Sequence, residues 1–247
     1  NTFVVSPNDR HVLAMGTYEY GTSVFNPLLV RWADQEDYTN WTPSISSTAG
    51  EIQIVDGTQI VGAKRGRNNI FIWSDKALYG IQFVGPPFIF SLAQVGSNCG
   101  LIGPHAAVVV DGVAYWMSDN NFYRFNGRVE RLDCTIRRDV FDNVNIAQKD
   151  KVYAGVNSEF NEVIWLIPGL NQLEPTRYVI YNVLENHWVY GSTFYTTYED
   201  ANVFDNTLTT GINATTSVSY YYDNEPVSIY TGDGEALTSY IESADFD

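Results

Sequence analysis

Cysteine is nearly missing from this chain: 247 residues contain two, Cys99 and Cys134. Two are too few for a disulfide framework, so both read as free thiols, with a single bridge left open. There is no Cys-x-x-Cys, and the three histidines, His11, His105 and His187, are scattered, which excludes a structural zinc site of the usual spacing. Basic residues are also scarce, 14 against 29 acidic ones, for a net charge of −15. That balance excludes a broad nucleic-acid grip, which needs clustered Lys and Arg. It also disfavours docking on anionic lipid. It leaves room for DNA as a passenger, because a negative wall repels phosphate, although solubility is the simpler reading of the same charge. No run approaches the ~18 apolar residues of a spanning helix. The opening Asn1-Thr-Phe-Val-Val-Ser lacks the basic and apolar regions of a signal peptide. The missing initial Met fits either processing or a window on a longer protein.

What is abundant is aromatic: 17 Tyr, 13 Phe and 6 Trp, or 15% of the chain. Aromatic residues favour strands. With 45% hydrophobic residues in visible alternation, a largely disordered chain is excluded. The length suits one all-β domain and a full core.

Short apolar runs, such as Ile70–Trp73, Leu78–Val84, Val113–Met117, Phe122–Phe125 and Val163–Ile167, are broken by turn residues. Among the breakers are Asp56-Gly57, Asp111-Gly112 and Asn126-Gly127, pairs that supply the positive φ of tight hairpins. The pattern predicts an antiparallel sandwich, barrel or propeller. Trp32, Trp73, Trp116 and Trp165 then recur at separations of 41, 43 and 49 residues, three of them with an Asp just downstream. A period of roughly 40–50 residues with about four strands per unit marks propeller blades, which must stack on neighbours to bury both faces. The fold class expected is therefore all-β: a propeller-like array of four-stranded antiparallel blades, complete or partial, at roughly 11–55, 58–98, 105–134, 151–195 and 200–247. A large sandwich with coincidental spacing is the alternative. The four indoles are the expected blade anchors. One short helix is expected within Cys134–Ile146, where Ile136, Val140, Phe141 and Val144 share a face. Tyr240–Asp247 reads as a strand cut short.

Chemistry is sparse. Asp34, Glu36, Asp37, Asp75 and Asp119 could supply a carboxylate pair, but turn-forming is the stronger reading for Asp75 and Asp119. Cys99 and His105 flank a Gly-rich stretch that reads as a crossing between blades rather than a nucleophile and its base. His187 reads as a surface or packing residue. Lys64, Arg65 and Arg67 form the one basic cluster, either a solvated hairpin tip or a seat for an acidic partner. Asp223, Asp233 and Glu235 lack the spacing of an EF-hand loop, and the sequons at Asn40 and Asn213 carry little weight without a secretory signal. The expectation is no enzyme, no cofactor and no metal.

Three stretches carry a family likeness: Val30 to Trp41-Thr-Pro43 with Ala49-Gly50; Ile72-Trp-Ser-Asp-Lys-Ala-Leu-Tyr79 through Gly85-Pro-Pro-Phe88 to Gly96-Ser-Asn-Cys-Gly-Leu-Ile-Gly-Pro104; and Asp111 to Ser118 with Phe122-Tyr-Arg-Phe-Asn-Gly127. Together they resemble the propeller portion of tail nozzle or tail-hub proteins of short-tailed bacteriophages, over roughly residues 25–195. The resemblance implies a virion location and a homo-oligomeric ring, commonly six-fold, between portal and adaptor and the distal tail. Its channel would carry DNA outward, and it implies no enzyme activity. A carbohydrate- or receptor-binding propeller of the tail is the second reading, with Trp41 as a candidate stacking residue.

Overall fold

The computed structural model describes residues 2–193, 195–200, 208–212 and 219–223. Nearly all of the regular structure is antiparallel sheet. The first sheet is β1 (Thr2–Val5), β2 (Val12–Tyr18), β3 (Phe25–Trp32) and β4 (Gly50–Gln53). The second is β5 (Ile60–Arg65), β6 (Ile70–Ser74), β7 (Ala77–Gly85) and β8 (Ile89–Ser97). The third is β9 (Ala107–Val110), β10 (Val113–Met117), β11 (Phe122–Phe125) and β12 (Val129–Arg131). The fourth is β13 (Tyr153–Asn157), β14 (Glu162–Pro168), β15 (Pro175–Asn182) and β16 (His187–Ser192). The fifth, three-stranded among the described residues, is β17 (Tyr195–Glu199), β18 (Leu208–Ile212) and β19 (Ser219–Asp223).

Each sheet runs in chain order from first strand to last. The first strands stand side by side, β1 against β5, β5 against β9, β9 against β13 and β13 against β17. That is the blade arrangement of a propeller, with first strands innermost. The sheet boundaries correct two expected ones: the first blade begins at residue 2 rather than 11, and the fifth at 195 rather than 200.

The turns follow from their residues. Asp111 (φ 50°) and Gly112 (φ 84°) both sit in the left-handed region, as a two-residue hairpin between β9 and β10 requires. At the β6–β7 turn the Ser74 hydroxyl donates to the Asp56 carbonyl (2.8 Å) and accepts from the Ala77 amide (2.9 Å). The expected helix is present but shorter, α1 (Arg137–Asp142), followed by 3-10 turns over Ile146–Lys151. Val144 leaves the helical path to bridge Gly169, which ends α1 early. Val140 is fully buried, and Phe141 lies 5.2 Å from the Phe122 ring, so the helix plugs the gap between the third and fourth blades.

The cores lie between blades. One joins Trp73, Trp116, Trp165 and Trp188 across the second to fourth sheets. A second joins Leu13, Met15, Val30 and Trp32 to Ile70, Ile72, Tyr79 and Phe90 across the first two. Tyr198 joins Ile164 and Leu166 between the last two.

Candidate functional site

Three of the four expected anchors are structural equivalents. Trp73, Trp116 and Trp165 lie on the second strands β6, β10 and β14, opposite Gly62, Ala107 and Ala154 on the first strands. Each partner position holds a small residue; at Gly62 the crossing takes the space, since a β-carbon there would fall 3.0 Å from Leu101 and from the Pro104 carbonyl. Trp116 donates its indole N–H to the Cys99 carbonyl (2.8 Å), and Trp165 donates to the Ala106 carbonyl (3.1 Å). Both acceptors belong to the crossing that joins β8 to β9, so the third and fourth sheets are both tied to that one segment. Trp73 and Trp116 meet edge to face at 5.7 Å. The Trp73 indole N–H is buried without a partner.

Trp32 breaks the set. It lies on the third strand β3, opposite Leu13, and its indole N–H donates to the Thr48 carbonyl (2.7 Å) of its own blade. The regular spacing between Trp32 and Trp73 is therefore not a structural repeat. In the first blade Leu13 and Met15 fill the second strand, and the indole has moved one strand outward. It still reaches the next blade, 5.2 Å from Phe90.

The carboxylates after the tryptophans brace loops. Asp34 Oδ1 accepts from the Thr48 amide (2.7 Å), the Thr48 hydroxyl (2.6 Å) and the Gln35 amide (2.8 Å). The Thr48 hydroxyl bond, with those amides, holds the Asp34 pKa down at about 2. Asp37 is lowered by the Thr39 hydroxyl and amide. Burial opposes ionisation of Asp75, but bonds from the Thr58 amide (2.7 Å) and hydroxyl (2.8 Å) outweigh it and lower its pKa. Asp119 is exposed in its turn, and Glu36 pairs with Arg10 at 3.5 Å.

The structure gives Cys99 and His105 different neighbours. Cys99 is buried in the crossing, its amide donating to the Lys76 carbonyl, and burial pushes its thiol up to about 11. His105 stacks on the Tyr153 ring at 5.8 Å, and burial lowers its pKa. Cys134 is likewise pushed up to about 11 by burial. His187 is a surface residue paired with Glu185 at 3.2 Å. Among the described residues, no three His, Cys, Asp or Glu side chains converge as a metal site. Asn40 turns its amide to Asp34 (3.1 Å). Asp223 ends β19, and Asp233, Glu235, Asn213 and Tyr240–Asp247 lie outside the described residues.

The basic cluster is divided rather than a uniformly solvated tip. Arg65 crosses to the first blade, 2.6 Å from Asp9 and 3.1 Å from the Pro7 carbonyl. Arg67 is exposed. Lys64 instead faces a cavity of about 430 Å³ among the first strands, shared with Asp111, Tyr153 and Glu199. A second opening, about 1010 Å³, lies between the 33–49 strap that joins β3 to β4 and the β7–β8 hairpin. Tyr20, Trp32, Ile45, Phe88 and Phe90 wall it, with Phe88 76% exposed. Trp41 is half-buried, its indole N–H held by the Tyr38 carbonyl (2.8 Å).

The sequence reading passed over Trp188, whose indole N–H donates to the Asp133 carbonyl (2.9 Å) and whose ring lies 4.6 Å from Tyr181. Its place on the outermost strand β16, two strands outside Trp165, gives it no part in the period. His11, 1% exposed, was also passed over, since one His before an apolar run carries no motif.

No protein family and no curated protein matches the chain. Among solved structures, it is similar to a protein of unknown function from Desulfotomaculum acetoxidans: 14% identity, 77% of this chain and 70% of that one, TM-score 0.41. It is also similar to a Bacteroides uniformis protein provisionally described as a 6-phosphogluconolactonase: 12% identity, 89% and 82% coverage, TM-score 0.47. Likenesses this distant carry no inference about activity.

Proposed function

We propose that this chain is a structural protein of a bacteriophage tail, of the nozzle or tail-hub kind, forming with copies of itself a ring through which DNA passes. The ring would be commonly six-fold and would connect portal and adaptor to the distal tail. The observation that carries the reading is how the chemically capable residues are spent. Asp34 and Asp75 clamp loops, the buried thiols are protonated, and the indoles of Trp116, Trp165 and Trp188 fasten sheets to crossings. Such a body resists shear rather than turning over substrate. The three stretches that carry the family likeness fall in the first three blades, which adds sequence support. The acidic surplus suits a surface past which DNA slides. Head-to-tail contacts between identical subunits close into rings when the rotation permits. Electron microscopy of virions, with native mass spectrometry of the purified chain, tests the proposal. A ring on the tail axis supports it, and a strictly monomeric chain absent from virions overturns it.

A second reading, a glycan-binding tail propeller, draws on the cleft beside Phe88. There aromatic faces adjoin Ser44, Ser46 and Glu51, the mixture that holds sugar rings by stacking and their hydroxyls by hydrogen bonds. Binding on a glycan array that disappears in Phe88→Ala favours it; an array blank for the unaltered chain removes it.

A further inference from the structure

The strap of residues 33–49 is held to the first blade at its start by the Ala33 amide on the Val12 carbonyl (2.9 Å) and the Glu36 amide on the Arg10 carbonyl (2.8 Å), at its middle by Arg31 on the Trp41 carbonyl (2.7 Å), and at its far end through Thr48. Thr48 gives its carbonyl to the Trp32 indole (2.7 Å) and its amide to Asp34 (2.7 Å). Its hydroxyl donates to Asp34 Oδ1 (2.6 Å) and accepts from the Gln35 amide (2.8 Å). His11 Nε2 lies 3.3 Å from the same hydroxyl oxygen. Since the hydroxyl proton is committed to Asp34, Nε2 must carry the proton of the imidazole and donate. That leaves Nδ1 bare, and Nδ1 is buried without a partner.

The surroundings of the ring are apolar on its open side. Phe90 meets it edge-on at 5.2 Å, and Phe83 lies tilted against it at 5.5 Å. Neither β7 nor β8 turns a charged group toward it there. The charged groups nearby come from the strap and the β1–β2 turn: Asp34 beyond Thr48, and Arg10, which is paired with Glu36 at 3.5 Å. Asp9, in the same turn, is engaged by Arg65. We infer that His11 and Thr48 form an acid-released clasp, closed while the imidazole is neutral and opened when a second proton is forced onto Nδ1. That proton finds no acceptor, and its charge would sit beside two phenylalanine rings, so the folded site opposes it. Burial is the largest influence on His11 and lowers its pKa; Asp34 acts the other way, and Arg10 with burial.

Release has a defined consequence. The strap covers Trp32, which is 6% exposed, and walls the cleft containing Phe88 and Phe90. Freeing it turns a closed edge of the first blade into an apolar surface. The sign of the effect is fixed: the unfolded or opened histidine takes up protons near its ordinary pKa of about 6.5, the closed one only below it, so acid favours the open form.

Hydrogen exchange of the whole chain, read on peptides spanning 33–49 at about pH 7.5 and about pH 4.5 and corrected for intrinsic exchange, tests this. A rise of roughly fivefold or more in strap exchange is expected, absent from peptides of β10 and β14. His11→Gln keeps a donor for Thr48 and cannot be charged, and its strap should stay closed at both pH values. Should His11→Gln fail to fold, Thr48→Val is informative, because it removes the hydroxyl that His11 holds and the far end of its strap, residues 44–49, should exchange faster already at neutral pH. NMR titration of the His11 ring in the unaltered chain gives a further readout, with protonation and strap opening at the same midpoint. The proposal is overturned by a strap that stays protected at low pH, by an equal rise in His11→Gln, or by unchanged exchange at the far end of the strap in Thr48→Val at neutral pH.

Discussion

A β-carbon placed on Gly100 would fall 2.1 Å from the carbonyl oxygen of Asp75 and 2.6 Å from the amide nitrogen of Lys76. The crossing from the second to the third blade therefore lies directly on the backbone of the β6–β7 turn, in a gap only glycine leaves open. Neither neighbour can move, because the Leu101 amide donates to Ser74 and the Cys99 amide to Lys76 on either side. Gly100→Ala should lower stability by about 3 kcal/mol or more, at or above the usual cost of overpacking. Gly127→Ala, at φ 79° with open space around it, should cost only about 1–2 kcal/mol from backbone strain. Urea midpoints of the two variants check the ordering; equal losses would disprove the close approach.

The three equivalent indoles differ in one atom's fate, which makes Trp→Phe a discriminating series. In Trp116→Phe the Cys99 carbonyl loses its indole donor inside the core, whereas in Trp165→Phe the Ala106 carbonyl keeps the Met117 amide as a donor. In Trp73→Phe an unpaired buried N–H disappears. Trp73→Phe should be milder than Trp116→Phe by about 1 kcal/mol or more, the scale of a buried polar group left unsatisfied, with Trp165→Phe between them. Calorimetric Tm values of the three variants would show it, and a Trp73→Phe as damaging as Trp116→Phe would refute it.

The propeller plan was legible because the second strands of three successive blades repeat one instruction, a large indole opposite a small residue. The first blade obeys a different packing, with Leu13 opposite Trp32, so its indole kept the period by coincidence and its first strand, Thr2–Val5, gave no signal. The helix was legible from the shared face of Val140 and Phe141; its early end was not, because the Val144–Gly169 bridge is a long-range pairing. The crossing at Gly96–Gly100 was read from its glycines. The inward turn of Lys64 and the clasp at His11 depend on residues far apart in the chain, which no local pattern encodes.

Acid should weaken the fold further below the histidine range. Asp34, held at about 2, and Asp75, also lowered, are carboxylates whose charged forms the native loops favour. Their contribution is complete above the ordinary value of about 4 and is lost as pH falls through that value toward the folded pKa. Asp34→Asn should flatten the urea midpoint between about pH 4 and pH 2.5 relative to the unaltered chain, since the amide does not titrate there. A profile as steep as that of the parent would remove Asp34 from the account.

Both cysteines should be slow toward thiol reagents. With Cys99 and Cys134 pushed up to about 11, thiolate is scarce at neutral pH, and Cys99 is also shielded. Ellman's reagent should report two thiols promptly in denaturant and react at least roughly tenfold more slowly with the native chain. Prompt native reaction of Cys99 would contradict its burial.

The indole bonds of Trp116, Trp165 and Trp188 all point the same way along the polypeptide, each toward residues already behind it: Cys99, Ala106 and Asp133. A chain emerging from the ribosome thus need not wait for a downstream segment to make these three bonds of the third and fourth sheets. For these two sheets the anchors are fastened to chain already made, and the order of translation becomes an order of assembly.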